Sequence, residues 1–403
     1  MASPRLLDTG PARPARAPRG ARVLAQASAP LPRLASRVPR GLLGMIGLVV
    51  IVECFVAGRP LDFSDPVSLS WQLSARSAGS DATRSATILC VGDSLVKHGV
   101  IPAVLEAKTG DRVSNLAIAR GPAPATYFLL RRVLEAGARP RAVVLDFKPG
   151  VLVGSARYNL RYWQEILSVR EALDLARRDH GGSFLLSLAL GRLFPTVRGR
   201  LEVRGAILAA FRGEDSPMRL INRVCQRNWG VNGGANVAAD NPAFTGTVSA
   251  EQHKTLLSHL WYCHRVNAAY VRRLLDLTAD RGIPVYWLLP PVSPELQARR
   301  EATGAEAGYL TFVRTFQSRY PHLTVVDGRH SGYDASAFVD ATHLDGRGAA
   351  TLTAELGTIL GRADAPEVAR ASRWVDLPPY RPDPSPLPLE DVEESRAIVK
   401  AGR

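Results

Sequence analysis

Two segments of this sequence carry residue types that together can cleave an ester, and the first of them holds a candidate nucleophile. Residues 88–95 (ILCVGDSL) are typical of a short buried strand that breaks at Gly92 and presents Ser94 at a tight turn. If a helix begins there, the N–H of Ser94 and the helix dipole could stabilise an oxyanion. Because Asp-Ser is also a common helix cap, this segment alone leaves a purely structural role open.

The second segment, residues 339–346 (VDATHLDG), supplies a candidate acid and base. Asp340 lies three residues before His343, so the two can share one turn. The carboxylate would then accept the Nδ1–H and leave Nε2 to take a serine proton. The alternative is a turn-forming Asp340 and a surface histidine. His322 and His330 rank below His343 as candidate bases.

The elements around these residues alternate as in a doubly wound α/β fold. Residues 88–147 are typical of strand, helix, strand, helix and strand, and further strands are expected at 283–289 and 323–326. We predict a flavodoxin-like three-layer sandwich with about five parallel strands and a helical insertion over about 151–281. Parallel sheets place their sites at the carboxyl ends of the strands, which would bring Ser94 and His343 to one edge.

The net charge of +14 is concentrated at the N-terminus. Residues 1–40 hold eight arginines and one acidic residue, without hydrophobic periodicity. We therefore predict a disordered basic tail on the cytoplasmic side. The rest of the chain is only mildly basic and lacks nucleic-acid-binding motifs, so no nucleic-acid partner is expected.

Residues 41–58 form an apolar run that is barely long enough for a transmembrane helix and carries Glu53. The arginine-rich flank predicts a single-pass anchor in the cell membrane, with the following domain on the extracytoplasmic side. A cleaved signal peptide and a buried core helix are the alternatives. We expect a linker over 59–83, the α/β domain over 84–362 and a Pro-rich tail over 363–403.

The cysteines and histidines indicate no metal site. Cys225 and Cys263 are the only plausible disulfide pair, and two buried thiols are an equally good interpretation. No ligand spacing typical of zinc occurs, so no metal and no cofactor is predicted.

Three segments resemble sequence blocks of the SGNH/GDSL hydrolases, and the resemblance spans roughly residues 84–361. The segments are 92–95 (GDSL), 115–121 (NLAIARG) and 340–343 (DATH). The resemblance implies the SGNH hydrolase fold and assigns four roles. They are the nucleophile Ser94, which also gives an oxyanion N–H, the second oxyanion donor Gly121, the acid Asp340 and the base His343.

The third block of that family, Gly-x-Asn-Asp, is replaced here by residues 146–150 (DFKPG). The asparagine that normally completes the oxyanion hole is therefore absent, and losing one such donor costs about 10²–10³ in rate in a comparable hydrolase. Lys148, Asn159 and Asn228 are candidate replacements.

These observations predict a serine-dependent acyl or acetyl esterase that works through an acyl-enzyme. An O-acyltransferase on cell-envelope polysaccharide is the first alternative, because membrane-anchored alginate-acetylation and D-alanylation proteins resemble this layout. The second alternative is a non-catalytic envelope scaffold or glycan-binding domain. The expected substrate is an acylated small molecule or glycan. The weaker candidates for contact with it are Lys97, His98, Lys148 and Asn159.

Overall fold

A computed structural model gives the fold of this chain. It describes residues 40–57, 64–179, 181–249, 261–362, 373–383 and 387–402. The predicted basic tail lies outside the described residues except for Arg40.

One six-stranded, all-parallel β-sheet forms the centre of the domain. Its strands are β1 (Ile88–Val91), β2 (Val113–Asn115), β3 (Ala142–Leu145), β4 (Val285–Leu289), β5 (Leu323–Asp327) and β6 (Trp374–Asp376). They lie in the order β2-β1-β3-β4-β5-β6, with Ile88 opposite Val113 on one side and Ala142 on the other. The order in which strands are added to the sheet reverses between β1 and β3. Open parallel sheets form ligand crevices at such a point.

Helices occupy most of the remaining described chain. Before β4 they are α1 (Arg40–Ala57), α2 (Pro66–Ser77), α3 (Asp81–Arg84), α4 (Ser94–Gly99), α5 (Pro102–Thr109), α6 (Ala123–Glu135), α7 (Pro149–Val153), α8 (Trp163–Ile166), α9 (Val169–Asp179), α10 (Gly182–Leu193), α11 (Pro195–Arg198), α12 (Arg200–Phe211), α13 (Pro217–Val231) and α14 (Arg265–Ala279). After β4 they are α15 (Pro294–Ala302), α16 (Ala305–Arg319), α17 (Gly346–Arg362) and α18 (Val392–Ala401). Two 3₁₀ turns, Ala156–Asn159 and Ala335–Ala337, complete the helical elements described.

The sheet separates two apolar cores because alternate strand residues point to opposite faces. Leu89 and Val91 of β1 join the larger core with α2, α6, α14 and α16. Ile88 and Cys90 join the other core with α5 and α17. The predicted α/β class with a parallel sheet is thus confirmed, although the expected number of five strands was too low.

The sixth strand lies in the segment that was predicted to be a Pro-rich tail. β6 pairs with β5, with Val375 opposite Val326. Three residues are too few to show a periodic pattern, which is why the sequence did not reveal this edge strand. The tail also ends in α18, whose capping box is formed by Asp391 and Glu394.

Helix α18 belongs to the folded domain. It packs against α13, and the Arg227 guanidinium makes a bidentate ion pair with Glu390, with Nε and Nη2 each 2.7 Å from a carboxylate oxygen. Asn228 donates to the Glu390 carbonyl oxygen at 3.0 Å, so it serves this contact rather than the oxyanion hole.

The predicted linker over 59–83 is also wrong where the structure describes it. Helix α2 buries Trp71 completely, and the indole N–H donates to the Ala119 carbonyl oxygen at 2.9 Å. The hydroxyls of Ser70 and Ser74 bond to the backbone of Ala119 and Ala117. A segment whose polar composition suggested solvent therefore supports the loop after β2, because its serines satisfy backbone groups of that loop.

Helix α1 exposes ten large apolar side chains along its length. The chain divides within this helix, with residues 1–50 in one unit and 51–403 in the other. Within the part of the chain that is described, no helix combines the length and the apolar character needed to cross a bilayer. The anchor over 41–58 stays a prediction.

Candidate active site

Ser94 is delivered by a turn that only glycine can make. Gly92 follows β1 with φ of +138°, and a Cβ atom there would lie 2.4 Å from the Asp146 carbonyl oxygen. Asp93 then caps α4, with Oδ1 accepting the Leu95 N–H at 2.9 Å. Ser94 is the first residue of α4, so its side chain lies at the carboxyl edge of the sheet.

The structure brings Ser94, His343 and Asp340 into one chain of hydrogen bonds. His343 Nε2 lies 2.9 Å from Ser94 Oγ, and His343 Nδ1 lies 2.8 Å from Asp340 Oδ2. With the Nδ1 proton donated to the carboxylate, Nε2 presents its lone pair to the serine hydroxyl. This geometry is that of a nucleophile, a base and an acid that orients the base.

The second oxygen of Asp340 is held by its own turn. Oδ1 accepts the Thr342 N–H at 2.7 Å, the Thr342 hydroxyl at 2.9 Å and the His343 N–H at 3.0 Å. Burial alone would raise the pKa of the Asp340 carboxyl, but the hydrogen bond and charge of His343 and the Thr342 donors outweigh it. The net effect holds that pKa well below its usual range, so the acid stays ionised.

His98 lies against the His343 imidazole and is partly exposed. Its ring centroid is 5.0 Å from that of His343, and its buried Nδ1 has no hydrogen-bond partner among the described residues. Burial, with the neighbouring charges of His343 and Lys97, lowers the pKa of His98 to about 3, so the ring is neutral at physiological pH. His98 thus forms one wall around the His343 imidazole, and its predicted contact with a substrate stays a prediction.

The donor role predicted for Gly121 conflicts with its hydrogen bond. The Gly121 N–H donates to the Ile118 carbonyl oxygen at 3.0 Å, and a Cβ atom at this position would lie 2.7 Å from the Gly92 carbonyl oxygen. Gly121 therefore permits close packing beneath the serine turn. The preceding residue, Arg120, has a φ of +57°, and its N–H makes no hydrogen bond within the described chain. A strained backbone beside a site is often functional, and this N–H is a candidate donor.

Asn159 supports this loop instead of facing a substrate. Its Nδ2 donates to the Arg120 carbonyl oxygen at 3.3 Å, and the side chain is buried. The bond restrains the peptide that follows the positive φ angle. Asn159 thus contacts the backbone of Arg120, whose N–H is the candidate oxyanion donor.

Lys148 follows β3, in the segment that replaces the asparagine-containing third block of the SGNH/GDSL hydrolases. Its N–H donates to Asp93 Oδ2 at 2.6 Å. Burial lowers the pKa of its ammonium group, while the charges of Asp93 and Asp340 oppose that shift. The ammonium forms no ion pair or hydrogen bond among the described residues. It lines a cavity of about 20 Å³ together with Thr342 and Arg300.

The sequence interpretation missed a pair of buried carboxyl groups below the serine. Asp93 and Asp146 follow the adjacent strands β1 and β3 and are fully buried. Burial raises the pKa of both, and for Asp146 the charge of Asp93 adds to the effect. Two neighbouring buried carboxylates repel each other, so protonation of one of them is favoured. The signal in the sequence was an acid within two residues of the end of each of two buried strands.

Lys97 is buried below the site and does not face substrate. Its Nζ has only long contacts, 3.4 Å to the Ala117 carbonyl oxygen and 3.5 Å to that of Gly234. Burial lowers the pKa of this ammonium group to about 7. The predicted substrate contact of Lys97 is therefore wrong, because a side chain that is 1% exposed cannot reach a ligand in the cleft.

The depressed pKa of Lys97 predicts a specific pH dependence of stability. An unfolded lysine titrates near ~10.4, so between about pH 7 and 10 the unfolded chain binds more protons than the folded chain. The free energy of unfolding should rise with pH in this window by up to about 1.4 kcal/mol per pH unit. Lys97→Met should flatten this rise and raise stability at pH 7, measured by urea denaturation. Lys108→Met, at the exposed end of α5, is the control and should keep the rise.

The rival histidines do not approach the serine. His322 Nε2 bonds to the Thr278 hydroxyl at 3.0 Å, and His330 Nε2 lies 3.3 Å from Glu301. His330 also has an acid three residues before it, yet Asp327 pairs with Arg329 and not with the imidazole. At this second acid-to-histidine spacing, the acid therefore serves a buried ion pair with Arg329.

All four cysteines are free thiols, so the disulfide between Cys225 and Cys263 is not formed. No group of three or more metal-ligating side chains occurs within the residues that the structure describes. No family model matches the chain, and no curated protein shows significant similarity to it.

Proposed function

We propose that this chain is a serine ester hydrolase of the SGNH type. The observation that carries the proposal is the continuous hydrogen-bond chain from Ser94 through His343 to Asp340, with distances of 2.9 and 2.8 Å. A binding module or scaffold has no use for a serine, a base and an ionised acid in this order. The resemblance of the three sequence blocks to that family supports the same proposal.

The geometry supports an acyl-enzyme mechanism. His343 Nε2 accepts the Ser94 hydroxyl proton while Oγ attacks the ester carbonyl carbon. The tetrahedral intermediate collapses, and the imidazolium returns the proton to the leaving alcohol oxygen. Water then attacks the acyl-Ser94 ester with His343 again as base, which releases the acid and restores the hydroxyl.

The oxyanion of the tetrahedral intermediate develops on the former carbonyl oxygen, and hydrogen-bond donors must face that oxygen. The Ser94 N–H makes no hydrogen bond among the described residues, and neither does the N–H of Arg120. Lys148 carries a cation that is partly withdrawn from water and interacts with the charge of Asp340, in a setting where charge counts for more than in bulk solvent. We assign the third donor, which the missing asparagine would supply, to the Lys148 ammonium.

Transfer to a glycan hydroxyl uses the same first half-reaction, since only the acceptor that attacks the acyl-enzyme differs. The extracytoplasmic location and the acylated small-molecule or glycan substrate belong to the same proposal. They follow from the predicted anchor and from the resemblance in sequence.

A fluorophosphonate probe tests the proposed function on the full chain. The probe should label a single serine, and peptide mapping should find it at Ser94. Hydrolysis of p-nitrophenyl acetate, measured with and without an acetyl-accepting glycan, separates hydrolysis from transfer. A folded protein that neither reacts with the probe nor turns over the ester would contradict an enzymatic role and favour the scaffold.

A further inference from the structure

The insertion between β3 and β4 carries an exposed apolar surface that the proposed reaction does not use. The described residues expose 24 large apolar side chains, of which ten belong to α1 and eight to helices α10–α12. We define these eight as the α10–α12 surface. They are Leu186, Leu190, Leu193, Val197, Leu201, Ile207, Leu208 and Phe211. Soluble surfaces rarely gather such residues without a partner.

Helix α10 is apolar on both of its sides. Phe184 and Leu188 face the core, whereas Leu186, Leu190 and Leu193 recur at helical spacing on the opposite side and are 44–67% exposed. A helix that is apolar all round is normally buried in a core or in lipid. Since the described residues cover only one side of α10, we look for another occupant of the opposite side.

Helix α12 extends the same character. Its residues are largely exposed, and Phe211 at its end is 85% exposed. Between α9 and α10 the surface continues into an apolar cavity of about 410 Å³. Val169 and Leu193 line this cavity and are themselves exposed, so it reaches the outer face.

The charged residues of this surface are mostly basic. Residues 182–212 contain five arginines and a single acidic residue, Glu202, which pairs with Arg161. The remaining described residues offer no ion-pair partner to Arg200, Arg204 or Arg212. An apolar face bordered by unpaired arginines fits a bilayer that contains anionic headgroups.

The α10–α12 surface also adjoins the second half of α1. The Glu53 carboxylate accepts the Thr196 N–H at 3.0 Å and bonds to the Thr196 hydroxyl at the start of α11. This explains how an acid is accommodated in an apolar helix, as its oxygens are satisfied and only 8% of the residue is exposed. Helix α1 and the α10–α12 surface thus meet at the polar contact of Glu53 with Thr196. Ile51, Val52 and Phe55 extend the exposed apolar surface.

From these observations we propose that α10–α12 lies in the interfacial region of a bilayer containing anionic phospholipid. The apolar side chains enter the acyl region and the arginines contact phosphate groups. This docking is independent of the ester chemistry, because none of its residues touches the triad. A protein partner is the competing occupant, and the test below distinguishes the two.

Lipid photolabelling of the full chain tests this docking. The chain is reconstituted in phosphatidylcholine vesicles, with and without phosphatidylglycerol, that contain a phospholipid with a diazirine in its acyl chain. Peptides from 182–212 should carry label, more strongly with phosphatidylglycerol, whereas peptides from α18 should not. Replacing Leu190, Leu193 and Phe211 with glutamine should lower the label in 182–212 by about fivefold or more, since each loses most of its apolar burial.

Two controls keep the result interpretable. Leu387→Gln with Ile398→Gln removes exposed apolar side chains elsewhere and should leave the label in 182–212 unchanged. Replacing Arg200, Arg204 and Arg212 with glutamine should remove the difference between the two lipid compositions. Thermal unfolding by circular dichroism shows whether each variant is folded. Label confined to α1, or cross-linking of 182–212 only to a second protein chain, would overturn the proposal.

Discussion

Replacing Ser94 with alanine is expected to abolish ester turnover and fluorophosphonate labelling. The loss in kcat should be about 10⁴–10⁶, because the nucleophile of a serine triad acts as a unit with its base. His343→Ala should cost about as much, and the double variant should be no worse than either single one. Steady-state hydrolysis of p-nitrophenyl acetate measures these losses, and circular dichroism confirms that the variants are folded.

Asp340→Asn separates orientation from charge in the same assay. An amide can still accept the Thr342 N–H, but the group facing Nδ1 becomes a donor and forces the wrong histidine tautomer. The expected loss is about 10⁴ in kcat. His330→Ala is the matched control, since that histidine is exposed and should be dispensable. Unchanged turnover in Ser94→Ala would contradict the proposed mechanism.

Lys148→Met is expected to lower kcat by about 10²–10³ while KM changes little, because an oxyanion donor acts mainly in the transition state. The backbone N–H of Lys148 that bonds to Asp93 is retained, so the serine turn should stay intact. Lys148→Gln keeps a neutral donor and should recover part of the rate. Kinetics with acetate and butyrate esters, whose acyl groups are uncharged, measure the effect without a charged substrate.

A rise in KM at constant kcat would contradict this assignment and indicate that Lys148 binds an anionic part of the substrate. Lys148→Arg distinguishes the two outcomes further. It keeps the positive charge but changes its shape, so a binding role should survive the substitution better than a positioned donor. Lys108→Met, which removes an exposed cation at the end of α5, is the control for general charge effects.

Both predictions depend on a single crevice at the sheet reversal between β1 and β3. The turn at Gly92 presents Ser94, and Lys148 follows the neighbouring strand. The buried carboxyl groups of Asp93 and Asp146 follow the same two strands, and burial raises the pKa of both. Substitution of either acid would therefore disturb the position of Ser94 as well as local charge.

The sequence by itself determined the local parts of this protein. The apolar run before Gly92 predicted a buried strand, and the acid three residues before His343 predicted a shared turn, because both depend on neighbours in the chain. Alternation of strands and helices was enough to predict the α/β class. It was not enough to find β6 or α2, whose short or serine-rich segments fold only against distant partners.

The tertiary structure alone decided which of these parts meet. Ser94 and His343 are 249 residues apart, and the same acid-to-histidine spacing occurs at Asp327 and His330, where the acid pairs with Arg329 instead. Lys97 and Lys148 looked alike in the sequence, yet one is buried against carbonyl groups and the other borders the triad. Such differences arise from burial and from contacts between remote segments, which no local pattern encodes.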